Sequence, residues 1–135
     1  MRQFIRHPTD IPIEYTIGES VAYSKEYLKN ISRGGLCFCV DVNIEPGFAI
    51  FIRIPICMPV FKAKGFVVWC HKTNEKYEVG VKFADTGTEF SVRMVEQICY
   101  IEEYKKKVLK KEGRKLSGEK AAMEWIEKYA KDFPR

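Results

Sequence analysis

Lys29-Asn30-Ile31-Ser32-Arg33-Gly34-Gly35-Leu36, residues 29–36, interrupts an alternating pattern of apolar and polar residues. The stretch Val21 to Leu28 precedes it and Leu36 to Val40 follows, both with the character of β-strands. Two glycines are enough to reverse a chain between strands. This turn also carries an Asn, a Ser and an Arg, so it holds more polar chemistry than a reversal needs.

The same alternation extends on both sides. Ile11, Ile13, Tyr15 and Ile17 mark a half-buried strand. Pro46-Gly47 sets a turn before a strand over residues 48–54, and two prolines make residues 54–60 a connecting loop or a sheet edge. A further strand covers Phe61 to His71 with Val67-Val68-Trp69 as its expected core, and Tyr77 to Phe83 completes the set. Six closely spaced strands predict a mainly β fold, a small six-stranded antiparallel barrel of split-barrel type. After Asp85 the period changes. Thr86-Gly87-Thr88-Glu89 has capping-box form, and Phe90, Met94, Ile98 and Ile101 follow at helical spacing. Gly113 ends that helix. A second is expected from Ser117 to about Lys131, with Ala122, Trp125, Ile126, Tyr129 and Phe133 as its apolar face.

A chain of 135 residues is about one domain, large enough to fold without disulfide or metal. Apolar residues make up 46% and charged residues 30%, the balance of an ordinary globular domain. No apolar run approaches the ~18 residues of a membrane span, and MRQFIRHPTD has no apolar signal region. A cytoplasmic location without membrane insertion is expected. Cys37, Cys39, Cys57, Cys70 and Cys99 include no Cys-x-x-Cys pair, so they read as reduced, small apolar residues and not as metal ligands. The net charge of +5 owes much to Lys105-Lys106-Lys107 and Lys110-Lys111, a basic helix face.

Catalysis finds little support. His7 and His71 are the only histidines, and Cys70 and His71, being neighbours on a strand, point to opposite faces. No nucleophile elbow, zinc-protease motif or phosphate loop is present. No cofactor, no metal and no enzymatic activity are expected.

Two local patterns stand out: Arg2-Gln-Phe-Ile-Arg6, and Asn30-Ile-Ser-Arg-Gly-Gly35. An arginine offers a planar fork of donors that matches phosphate oxygens and the O6/N7 edge of guanine. Asn and Ser at alternate positions place two polar groups on one side of a strand end, and glycine admits close approach. Arg-x-x-x-Arg followed by Asp/Asn-x-Ser-x-x-Gly resembles the PilZ domain family. Arg6 to Tyr15 is similar to the family's entry into its first strand, Val67-Val68-Trp69 and Gly80-Val81-Lys82-Phe83 to its later strands, and the resemblance covers about residues 2 to 104. It divides the chain into a barrel domain with its N-terminal arm and the start of the first helix, residues 1–103, and a helical extension, residues 104–135.

The resemblance implies a receptor for the bacterial second messenger cyclic di-GMP. Carried across by position, Arg2 and Arg6 grip guanine edges and phosphates, Asn30 and Ser32 contact ligand from the barrel, and Gly35 permits the turn. Trp69 is a further candidate, with core packing as the competing role. Asn30 stands where the family often has Asp, and Met1 where it often has a basic residue. The alternative is a protein-interaction module of the same type, with Trp125, Tyr129 and Phe133 as an anchor set. The second helix is also a candidate homodimer contact, and the downstream protein partner is unspecified. DNA or RNA binding is not expected, because Phe38, Phe51, Trp69 and Phe83 alternate with apolar neighbours and not with cations.

Overall fold

The computed structural model describes residues 6–18, 24–57, 60–84 and 89–129, with the side chains at 89, 90 and 129 outside that set. The expected capping box at 86–89, the Phe90 and Tyr129 side chains, Phe133 and Arg2 therefore lie outside the described residues. Seven strands and two helices follow in order: β1 His7–Pro8, β2 Pro12–Ile17, β3 Ser24–Ile31, β4 Gly35–Val40, β5 Ala49–Ile54, β6 Phe61–Thr73, β7 Lys76–Phe83, α1 Glu89–Glu112 and α2 Gly118–Tyr129.

The antiparallel order β3-β2-β5-β6-β7-β4, closed by β4 pairing with β3, is the expected six-stranded barrel, and the short β1 lies outside it against β3. Closure leaves few free sheet edges to pair with other chains. Turn chemistry accounts for the connections. Phe48 N–H donates to Glu45 O at 3.3 Å, with Pro46 and Gly47 (φ 98°) between them. That is a type II turn, with proline presetting the first central residue and glycine supplying the positive φ. β6 and β7 meet at Asn74-Glu75, where Asn74 takes φ 48°, a conformation asparagine tolerates.

The interior is filled from every wall: Ile13 from β2, Leu28 and Ile31 from β3, Leu36, Phe38 and Val40 from β4. Ile50, Ile52 and Ile54 come from β5, Val67 from β6, and Val79, Val81 and Phe83 from β7. Met94, Ile98 and Ile101 of α1 join the same core, as their spacing predicts. Thr9 Oγ1 donates to Glu102 at 2.9 Å, and Lys105 donates to Asp10 at 3.1 Å, fixing α1 to the chain entering β2. Asp10 also accepts from Gly118 N–H at 3.1 Å, and Ser117 Oγ accepts from Lys120 N–H at 3.1 Å, so two side chains cap α2.

Three expectations change. β3 runs on to Ile31, three residues past the expected end at Leu28, because Asn30 and Ile31 pair with Cys37 and Leu36. Val68 is not core; it is 48% exposed, because the register of β6 shifts between Val67 and Trp69. Trp125 is 6% exposed and stacks on Tyr100 of α1 at 6.1 Å, so it packs between helices and is not a free anchor. Among the described residues no helix is long and apolar enough to cross a membrane.

Candidate functional site

Strict alternation would bury both Asn30 and Trp69. Leu28 faces the core, so a regular β3 would turn Asn30 inward as well. The register shift between Leu28 and Asn30 inserts Lys29 as an extra residue; Ile31 then occupies the core and Asn30 faces out. On β6 the shift between Val67 and Trp69 does the same, making Val68 the extra residue. A bulge of one residue re-aims the side chain after it. Two bulges on two strands thus turn both candidates to the outer wall.

The pairing register then sets them in one row. Pro8 lies opposite Asn30, Asn30 opposite Cys37, Cys37 opposite Gly80, and Gly80 opposite Trp69. From β3 to β6 the row crosses three inter-strand spacings, about 14 Å along the wall. A Cβ on Gly80 would run into the Trp69 indole, so the missing side chain is what lets the ring lie across β7. His71 stacks on the indole at 4.8 Å and 22°.

Arg6 Nη1 donates to Asn30 Oδ1 at 2.8 Å, which joins the N-terminal motif to the barrel motif across 24 positions. Ser32 Oγ accepts from the amides of Gly34 at 3.1 Å and Gly35 at 3.2 Å, and its hydroxyl donates to Gly35 O at 3.3 Å. Its polar atoms are therefore engaged in the turn, and the residue is 8% exposed. Gly35 is needed for a different reason from the one expected. Neither Gly34 nor Gly35 has a positive φ. A Cβ on Gly35 would fall on the Val81 carbonyl oxygen, so it is close approach to β7 that demands glycine.

The row and the one beside it also contain residues not singled out in the sequence. Glu78, opposite Cys39 and His71, accepts from Lys29 at 2.6 Å and from the Cys37 thiol at 3.5 Å. The Lys29 ammonium holds the Glu78 carboxyl below the usual carboxylate range, and Glu78 in turn raises Lys29. Burial, helped by Glu78, pushes the Cys37 thiol up to about 12, so it is a neutral donor at physiological pH and a poor nucleophile. All five cysteines are free. No period or motif marks Cys37 or Glu78; only strand register sets Cys37 opposite Asn30 and brings Glu78 against its thiol. No cluster of three metal-ligating side chains occurs among the described residues.

The wall so assembled offers one guanidinium, one amide and one indole around a small-residue floor at Gly80, suited to planar, hydrogen-bonding ligands. Solved structures share the fold. The PilZ domain of YcgR from Escherichia coli, solved with c-di-GMP, matches at TM-score 0.61 and 13% identity, over 82% of this chain and 98% of that one. The Bacillus subtilis inhibitor of motility MotI/DgrA matches at 0.60 and 14%, covering 76% of this chain and 50% of its own, so this chain spans about half its length. The PilZ domain of CeSA from a cellulose-synthesizing bacterium matches at 0.54 and 12%, over 73% and 98%. No curated protein sequence matches. The profile of the PilZ domain matches residues 1–100, and the chain belongs to the PilZ domain family.

Proposed function

We propose that this protein is a non-enzymatic bacterial receptor for cyclic di-GMP, held between the Arg2–Arg6 arm and the barrel wall at Asn30 and Ser32. The supporting observation is the Arg6–Asn30 hydrogen bond, with Trp69 in the same row as Asn30. The ligand is a dianion with two guanines. Arginine suits its phosphates and the O6/N7 edge, and an amide carbonyl accepts from guanine N–H groups. Ser32 acts chiefly by shaping the turn, since its oxygen already serves two amides. Trp69 supplies a ring edge or face beside the guanines. Binding closes the arm, and a protein partner in the cytoplasm reads the closed form; residues 104–135 are an extension beyond the ligand-binding part.

Isothermal titration with cyclic di-GMP tests this reading. Saturable binding is expected, and Arg6→Ala should cost ~2–5 kcal/mol, the range for truncating a hydrogen-bonded charge contact. Asn30→Asp should tighten binding by giving guanine a charged acceptor. Absence of any heat at low salt and high protein concentration would sink the receptor reading. Unchanged or weaker binding by Asn30→Asp would leave Asn30 only the task of positioning Arg6.

A further inference from the structure

We propose that the outer wall of β5, β6 and β7 is a second binding surface, built for single-stranded nucleic acid. On β5 the isoleucines face the core, so Ala49, Phe51 and Arg53 face out. On β6 Phe61, Gly65 and Val67 are buried, and Lys62, Lys64 and Phe66 point outward, as does Lys82 on β7. The register sets rings against cations: Phe51 opposite Lys64, and Phe66 opposite Lys82. Lys64 Nζ stands 5.9 Å from the Phe51 ring centre and 5.5 Å from that of Phe66. Ala49, the other neighbour of Phe66, is too small to cover that ring, which is 39% exposed.

Arg53 is paired with Glu14 at 2.7 Å, but among the described residues Lys62, Lys64 and Lys82 form no ion pair with a carboxylate. Rings and cations alternate across the strands. A protein interface would more often gather its apolar residues in a centre and its charges on a rim. Single strands are held in the manner this wall offers, with cations tracking phosphates and bases stacking on open rings. Of the aromatics named in the sequence, Phe38 and Phe83 fill the barrel, whereas Phe51 faces out on this wall together with Phe66. Phe51, Lys64 and Phe66 lie outside the row from Asn30 to Trp69, so this surface stands or falls independently of the cyclic di-GMP site.

The test is fluorescence anisotropy of the full chain with a labelled oligothymidylate of about a dozen nucleotides, over a range of salt. Binding is expected at low salt, with a logarithmic salt slope of about −2 for three lysines at roughly −0.7 each. Phe66→Ala, an outward position, should weaken binding about tenfold. Lys64→Gln should weaken it and flatten the slope by about 0.7. Lys106→Ala with Lys110→Ala, on α1, should change nothing, and circular dichroism checks that each variant is folded. No anisotropy change at low salt would overturn the proposal, as would indifference to both Phe66→Ala and Lys64→Gln. Equal affinity for a duplex of the same length would remove the role of the rings. Displacement by polyglutamate at equal charge concentration would assign the wall to an acidic protein instead.

Discussion

Single residues on the wall matter mostly for what they lack. Gly35 and Gly80 sit where a side chain would meet the Val81 carbonyl and the Trp69 indole respectively. The two obstacles differ in kind. A carbonyl in a paired strand cannot move without disturbing the β4–β7 ladder, whereas an indole on the outer wall can swing away. Gly35→Ala should therefore destabilise the fold by about 1–3 kcal/mol or more, the range for overpacking, read as a lowered midpoint in urea. A midpoint within error of the parent would mean that β4 and β7 part without cost. Ser32 belongs to the same scale. Its oxygen satisfies two amides at the tip of the hairpin, and so it holds Asn30 and Gly35 at a fixed separation along the two strands.

At the scale of elements, two bulges and one cap decide the arrangement. The bulges on β3 and β6 each add one residue, and each changes which side chain faces out. The cap belongs to α2. Ser117 accepts from the Lys120 amide in the first turn, and Asp10 reaches Gly118 from the barrel. Asp10 also binds Lys105 of α1, so one carboxylate ties both helices to the chain before β2. Ser117→Ala should cost about 1 kcal/mol, a drop in Tm of a few degrees for a domain of this size. An unchanged Tm would show that Asp10 alone caps the helix. The helix pair is closed on itself by Trp125 on Tyr100 and by Tyr104 donating to Glu124 at 2.8 Å, which leaves Trp125 unavailable as an anchor for a partner.

For the molecule as a whole, the Lys29–Glu78 pair links the candidate site to the pH dependence of folding. Lysine holds the Glu78 carboxyl below its ordinary value, so the folded protein binds fewer protons there than the unfolded chain. The stability it contributes is present above the ordinary carboxylate pKa and is lost as pH falls through the lowered native value. Lys29, raised by the same contact, contributes fully below its ordinary value and loses that contribution as pH rises through the raised one. The stability gap between the parent and Glu78→Gln should be widest near neutral pH and vanish in acid, measured by urea unfolding at several pH values. A gap that stays constant into acid would assign the effect to packing.

The sequence by itself determined the barrel and the helices, because alternation, helical spacing and turn residues such as Pro46-Gly47 are local in origin. It also determined both motifs, whose residue types sit at fixed intervals along the chain. Alternation failed at Lys29 and Val68, where a period of two cannot reveal an extra residue; only pairing with β4 and β7 shows the slip. For the same reason the sequence did not reveal Gly80 beneath Trp69, Glu78 beside Cys37, or Phe66 among lysines. Each of those meetings joins residues from different strands through register, and register is fixed when the barrel closes around its core.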